Sequence, residues 1–278
     1  MILNYSEDLK SRIKNYYQKV YSEVGLPNIE HHVSKRMSED ETEMSRCDRL
    51  EDLLASPLRN YRRHFVVGAG TGGLIVALKR KGATEVFACE PCVEALEIAR
   101  EKAALVGVKP EYITPDIIET LPYADDSFDS IYCFTVLEHV KDVRGAVKEM
   151  YRILKPGGFI YIHTPDYRFP YEGHYKVYLP LFLGKRITRM LLKAIGRPTS
   201  FLDTIKFTTE KSLSRIFREE VDIFMRIYGR TPDGCLPEQD DTIKSKTIKA
   251  CKRFFMMNLS IPDHQEILIR KTAVGRAK

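Results

Sequence analysis

The sequence predicts an α/β fold in which an open, mostly parallel sheet of seven strands is flanked by helices. From His64 onward, short apolar runs alternate with segments whose apolar residues recur every three or four positions. That rhythm belongs to parallel strands joined by right-handed helical crossovers. The first run ends in Gly68-Ala69-Gly70-Thr71-Gly72-Gly73, between strand and helix. The second ends in a carboxylate, Glu90, 20 residues beyond Gly70. A tight turn into a helix N-terminus, followed by a strand-end acid, suits a nucleoside lying across the strand ends.

Residues 5–60 read as polar and helical. Tyr16, Tyr17, Val20 and Tyr21 make one apolar side, and a second helical stretch runs near Glu41 to Leu54. Phe65-Val66-Val67 is the first strand, and Leu74, Ile75, Ala77 and Leu78 then fall at helical spacing. Val86 to Cys89 is the second strand, followed by a helix with Val93, Leu96, Ile98, Ala99 and Ala103 inward. Tyr112-Ile113-Thr114 is a weaker third strand, Ile131 to Phe134 a fourth and Phe159 to Ile162 a fifth. A helix from Val143 to Leu154 joins the last two. After Pro165 the rhythm breaks, which marks an insertion, and resumes with a helix capped at Thr208 or Thr209. Val221 to Tyr228 and Gln265 to Arg270 complete the strands.

With 278 residues, 44% hydrophobic and 29% charged, the chain has an ordinary soluble composition. Met1 to Lys10 carry no apolar run of signal type, and no window approaches the ~18 apolar residues of a membrane span. A cytoplasmic, non-spanning protein is expected. The six cysteines fit a reduced compartment better than a disulfide framework. Cys89 and Cys92 form a CxxC, but no second ligand pair stands out. No metal is therefore expected, and both cysteines are assigned to packing where strand becomes helix.

The spacing Gly68, Gly70, Gly73 also satisfies the dinucleotide fingerprint, so a nicotinamide (NAD(P)) oxidoreductase stays open on these residues alone. The stretch from Asp116 to Gly158 adds Asp116-Ile117, Leu121-Pro122-Tyr123, Ser127-Phe128-Asp129, Leu137-Glu138-His139-Val140 and Leu154-Lys155-Pro156-Gly157-Gly158. With these motifs in register from about Leu50 to Pro165, the chain resembles the class I S-adenosylmethionine-dependent methyltransferase family. The likeness is to its ubiquinone-type and other small-molecule branch.

The resemblance implies a Rossmann-like fold, S-adenosyl-L-methionine as cofactor and a transferase that methylates its acceptor. Gly68, Ala69, Gly70 and Gly72 would hold the methionine end, and Glu90 the ribose. Asp116 would accept the adenine amino group, with Ile117 against the ring. Phe134-Thr135-Val136 would line the cofactor and face the acceptor. Many members place an acid two positions before the first glycine. Here that position is Val66, so its help to the cofactor's amino group is missing or supplied elsewhere. A relative that binds the cofactor without catalysis is the other alternative. Residues 1–55 are expected to form a helical cap and residues 56–278 the methyltransferase domain, with the insertion over 166–207.

If the acceptor is a hydroxyl, a general base helps. His174, Asp166 and Glu172 follow the fifth strand, where ligands of open sheets lie, and are the candidates. His174 comes first because its ordinary pKa is nearest neutrality. The same residues could instead tie down the insertion by hydrogen bonds. Glu138 and His139 are expected to cap and orient the helix after strand four.

Between Lys176 and Lys206 there are seven basic residues and one acid, so this segment carries the whole formal excess of +6. On a helix over 183–197, Leu183, Ile187, Met190, Leu191 and Ala194 share one face. Lys185, Arg186, Arg189, Lys193 and Arg197 share another, with Leu192 the exception. Such a helix packs its apolar stripe on the domain, or lies on an anionic membrane with about 1 kcal/mol from each basic residue. The second case makes the protein membrane-peripheral and suits a lipid-linked acceptor, such as a quinone precursor or a lipid-borne saccharide. A second basic stretch, Lys244 to Phe255, could extend that surface. No nucleic-acid-binding module is evident, so nucleic acid is not expected as a partner.

Overall fold

The computed structural model describes residues 4–227 and 264–272. Three helices come first: α1 (Glu7–Glu23), α2 (Ile29–Arg36) and α3 (Glu39–Leu54). The alternating region follows as β1 (Arg63–Val67), α4 (Gly73–Arg80), β2 (Glu85–Cys89), α5 (Val93–Leu105) and β3 (Ile113–Thr114). It continues with β4 (Phe128–Phe134), α6 (Val143–Ile153) and β5 (Leu154–Pro165). The insertion holds a small hairpin, β6 (Tyr171–Glu172) with β7 (Val177–Tyr178), and α7 (Lys185–Ala194). Last come α8 (Glu210–Glu220), β8 (Ile223–Ile227) and β9 (His264–Arg270).

Seven strands form one Rossmann-like sheet in the order β3-β2-β1-β4-β5-β9-β8. β9 runs antiparallel to both neighbours, and the remaining pairings are parallel. The chain moves outward from β1 to β2 and β3, then returns to place β4 on the other side of β1. That reversal opens a crevice at the carboxyl ends of β1 and β4, where open α/β sheets bind ligands. Alternate side chains divide the core between the two faces. Phe65, Val67, Ile131 and Ile160 pack with α6 and α8 residues, whereas Val66, Tyr132 and Phe159 pack with those of α4.

A third core lies above the sheet. Leu9, Ile13, Tyr17 and Tyr21 of α1 cluster with Tyr175, Leu181, Leu192 and Leu202 of the insertion. This packing sets the orientation of α7, which the sequence leaves open. Leu192 and Thr188 are the buried side of the helix, while Leu183 is 54% and Met190 58% exposed. Leu183, Met190 and Ala194 of the apolar stripe point outward, whereas Leu191 packs against the third core beside Leu192. α8 begins at Thr209, whose hydroxyl accepts from the Ser212 N–H in a reciprocal capping box. Among the described residues no helix is long and apolar enough to cross a membrane. The basic stretch Lys244 to Phe255 lies outside the described residues.

The N-terminal helices are pinned by a buried charge cluster. Lys102 of α5 is 1% exposed, and its Nζ donates to Glu39 Oε1 and Asp40 Oδ1, both at 2.7 Å. Glu39 also accepts from the hydroxyls of Thr71 and Tyr17. Burial works against both charges, but each partner outweighs it: the Lys102 pKa is raised and that of Glu39 lowered. Replacing Lys102 with Met strands two carboxylates and is expected to cost ~3–5 kcal/mol in urea unfolding at neutral pH. A loss below ~1 kcal/mol, the value of a solvated pair, would contradict this role.

Candidate functional site

The loop after β1 is shaped by what surrounds it. Gly68 has φ +66°, and a Cβ there would stand 2.5 Å from Val136 Cγ2. The glycine loop and the segment after β4 are therefore in direct contact. Gly70 has φ +53° and open space where a Cβ would stand. Its N–H donates to Glu90 Oε2 at 2.8 Å, and the Cys92 N–H donates to Oε1 at 2.9 Å. Burial raises the Glu90 pKa against these two donors. Each oxygen keeps a further lone pair for a ligand hydroxyl. The Ala69 N–H donates to the Cys89 carbonyl, which fixes the loop to the end of β2. Gly72, left-handed in its turn, leads directly into α4.

Beyond β3, Asp116 Oδ2 is buried without a hydrogen-bond partner, and the neighbouring Ile117 is 50% exposed. An orphaned acceptor beside an uncovered apolar surface is a ready receptor for a heteroaromatic ring that carries an amino group. Thr135, just past β4, has φ +53°, a costly conformation for a β-branched residue. Its N–H holds the His163 carbonyl at 2.7 Å, linking the ends of β4 and β5.

A second group gathers at the ends of β4 and β5. His174 Nδ1 lies 2.8 Å from Glu172 Oε1, and Glu172 Oε2 accepts from the Tyr175 N–H at 2.6 Å. His174 Nε2 faces His139 Nε2 at 3.1 Å. Burial, with His174 nearby, lowers the His139 pKa to about 4. For His174 burial also opposes the charge, but the Glu172 carboxylate outweighs it and raises the pKa. Glu138 is fully buried, with Oε2 accepting from Thr164 at 3.1 Å and Oε1 unpartnered. Donor atoms of Glu138, His139 and His174 lie within 4.8 Å of one another, and their types could hold a small cation. Glu138 and His139 do not cap α6 as expected. They occupy the turn before it, and Asp142 stands at the N-cap. Asp166 sits apart, with both oxygens engaged by Arg168, which also reaches Glu210 of α8.

Sequence reasoning left the stretch near Glu41 to Leu54 either to cover one edge of the ligand site or to pack on the sheet, and named none of the side chains of α3 that reach the site. Glu39, Glu43 and Arg46 stand at positions i, i+4 and i+7, one helical face directed at the site. Arg46 lies over the Phe134 ring, 5.3 Å from its centroid, and donates to Glu43 Oε1 at 2.6 Å. Only their spacing signalled this, in a segment charged on all sides.

A family model described as a methyltransferase domain matches residues 65–162. A ubiquinone biosynthesis O-methyltransferase of Alkalilimnicola ehrlichii is 33% identical over 61% of this chain and 64% of its own length. A demethylmenaquinone methyltransferase of Staphylococcus aureus is 33% identical over 59% of this chain and 69% of its own. The chain thus spans about two thirds of the length of these two curated relatives. The crystal structure of a SAM-dependent methyltransferase from Archaeoglobus fulgidus superposes with a TM-score of 0.52 at 14% identity. It covers 84% of this chain and 94% of that one, a likeness of fold. The domain match does not favour the nicotinamide alternative.

The two loop glycines should respond differently to the same substitution. Gly68→Ala combines a left-handed φ with a clash and is expected to cost ~2–4 kcal/mol in chemical denaturation. Gly70→Ala, with open space, should cost only the ~1–2 kcal/mol of its φ. Equal losses would mean that Val136 simply moves aside.

Proposed function

The chain belongs to the class I S-adenosylmethionine-dependent methyltransferase family, and we propose that it methylates an oxygen of a small-molecule, saccharide or lipid-linked acceptor. Hydroxylated quinone precursors are the favoured class, since the relatives' names point to quinone biosynthesis. The observation that carries the cofactor half is the set of unfilled acceptors at the strand ends. Gly70 leaves a cradle, Glu90 has spare lone pairs, and Asp116 Oδ2 has no partner beside exposed Ile117. These residues fit a nucleoside with an attached amino acid.

When bound, S-adenosyl-L-methionine supplies a methyl group on a sulfonium, ready for in-line displacement. The chain's own work is alignment and exclusion of water, worth several kcal/mol. Gly68, Ala69, Gly70 and Gly72 hold the methionine end, Glu90 the ribose, and Asp116 with Ile117 the adenine. Thr135, strained at the end of β4, lines the side that faces the acceptor. His174 is the base of this reading. With Nδ1–H donated to Glu172, its Nε2 carries no proton and accepts from His139 Nε2–H at 3.1 Å; the acceptor's hydroxyl takes the place of that donor, and its proton passes to Nε2. Glu172 orients the ring, and Asp166 secures the insertion through Arg168.

A second feature favours a membrane-borne acceptor. Phe182 and Leu183 before α7, Met190 on it and Ile195 after it are each more than half exposed, in a segment that also exposes Arg186 and Lys193. An outward apolar ridge with basic flanks suits the surface of an anionic bilayer.

Calorimetric titration with S-adenosylhomocysteine tests the cofactor assignment. Micromolar binding is expected, weakened at least about tenfold in Glu90→Ala, the effect of one charge-assisted hydrogen bond. No binding to wild type would end the reading. Binding without methyl transfer to any hydroxylated aromatic, saccharide or lipid-linked compound would instead identify a non-catalytic relative.

For the base, kcat should rise with pH through an apparent pKa above the ordinary ~6.5 of histidine. Below that pKa His174 is protonated and cannot accept. Glu172→Gln removes the charge that raises it, so the rise should move to lower pH. An unmoved profile would clear His174 of this role. Anionic liposomes should co-sediment the protein and release Arg186→Glu with Lys193→Glu; equal sedimentation would remove the membrane reading. Arg189 is left out of that pair because Asp203 already neutralises it.

A further inference from the structure

Three basic side chains gather beside His174 with no carboxylate left to answer them. α2 and the β6–β7 hairpin pack on the same third core, Val33 from one and Tyr175 with Val177 from the other. On α2, His32 and Arg36 stand at i and i+4 and so share a helical face. The Arg36 guanidinium lies over the Tyr17 ring, 5.2 Å from its centroid, and its Nε donates to the Tyr21 hydroxyl at 3.0 Å. The His32 ring meets the Tyr21 ring edge-on, with centroids 5.7 Å apart. Two buried tyrosines thus hold both side chains in place. Among the described residues nothing accepts from the two terminal nitrogens of Arg36.

The hairpin brings the third. Lys176 follows His174 and Tyr175 with φ +50°, a left-handed backbone that persists in a residue with a Cβ only where its surroundings impose it. Burial lowers the Lys176 pKa and Arg36 lowers it further, with Glu172 acting the other way. Lys176 in turn works with burial to lower the pKa of His32. Two carboxylates act on this group, and both are engaged. Glu172 accepts from His174 and from the Tyr175 N–H, and Glu39 from Tyr17, Thr71 and Lys102. Among the described residues neither Arg36 nor Lys176 has an ion-pair partner, yet solvent reaches both. Like charges gathered in an open recess repel, and an anion between them replaces that repulsion with attraction. A guanidinium edge beside an ammonium suits the oxygens of a carboxylate or a phosphate.

We propose that Arg36 and Lys176, with His32 beside them, bind an anionic group of the acceptor, so that the substrate is a hydroxylated compound that also carries a carboxylate or a phosphate. The inference rests on the acceptor reading given above, with His174 as base, and names a chemical class within it. Lys176 lies two residues beyond His174 in the same hairpin loop, so the group that anchors the acceptor and the group that takes its proton belong to one short segment.

The test is calorimetry on protein saturated with S-adenosylhomocysteine, with three catechols as probes: the carboxylic acid, the methylphosphonic acid and the neutral carboxamide. Wild type should bind at least one acid about tenfold or more tighter than the carboxamide, and the better acid tells carboxylate from phosphate. Lys176→Gln and Arg36→Gln should each weaken that acid by about 10- to 100-fold, the range of a charge-assisted hydrogen bond. Arg36→Lys, which keeps the charge, should retain most of the preference. Affinity for the carboxamide and for S-adenosylhomocysteine should change by less than about twofold in every variant. A wild type that binds S-adenosylhomocysteine but prefers neither acid, or binds none of the three probes, would overturn the proposal. So would an equal loss for acid and carboxamide, or a loss of S-adenosylhomocysteine binding in Arg36→Gln, which would place the guanidinium on the cofactor. A wild type that does not bind S-adenosylhomocysteine would instead overturn the cofactor assignment itself.

Discussion

The Lys102 ammonium, removed from water on α5, can remain charged only because Glu39 and Asp40 reach it from α3. Desolvating such a group costs several kcal/mol, so the cluster forms in one geometry or forfeits its compensation. The covering helices inherit their position from it. Glu39 brings Thr71 and Tyr17 into the same cluster, and the Tyr5 hydroxyl bonds Asp40. An apolar contact alone would let α3 slide by a fraction of a turn. Directed bonds from one buried nitrogen to two carboxylates do not. Glu43 and Arg46 then face the crevice because they lie one and two turns beyond Glu39. The same anchoring holds α1 above Glu90 and Cys92, where burial raises the Tyr16 pKa further by contact with both.

The sheet was legible because its demands are local. Strands buried on both faces read as continuous apolar runs, as in Phe65-Val66-Val67 and Ile131 to Phe134, and the structure extends each by a few residues. Gly68 and Gly70 announce themselves because both have a left-handed backbone, and at Gly68 Val136 also leaves no room for a Cβ. Glu90 and Asp116 follow from counting along strand ends. The charge cluster could not be found this way. Glu39 and Lys102 are 63 residues apart, and each alone looks like a solvated surface charge. The orientation of α7 stays open in the sequence for a related reason. Helical periodicity separates apolar from basic faces, but the side that packs is decided by the partner. The partner here is a core built around Tyr175 and Leu202, which accepts Leu192. Glu138 and His139 were placed one turn too late because their pattern resembles a cap, whereas Asp142 occupies that position.

The two halves of the crevice use different materials. The glycine-loop side is made of backbone N–H groups, strand-end carboxylates and left-handed glycines, with Gly68 closely approached by Val136. It is rigid because each part is tied to the sheet ladder. Thr135 belongs to this side and stores strain of about 1–2 kcal/mol in its left-handed backbone. The bond from its N–H to the His163 carbonyl helps to hold that conformation, so the ends of β4 and β5 are fixed to each other. The opposite side is made of imidazoles and carboxylates on longer loops, supported by the third core.

That difference has a mechanical consequence. His139 comes from the loop after β4 and His174 from the insertion, so their contact is the point where the rigid half meets the covering half. Glu172, at the end of β6, holds His174 and accepts from the N–H of Tyr175, which lies in the hairpin loop between β6 and β7. Tyr175 itself is buried in the core shared with α1 and Leu192 of α7. The imidazole pair is therefore held by packing that α1 and α7 share, whereas among the described residues only Ile98 of α5 joins that core from the glycine-loop half.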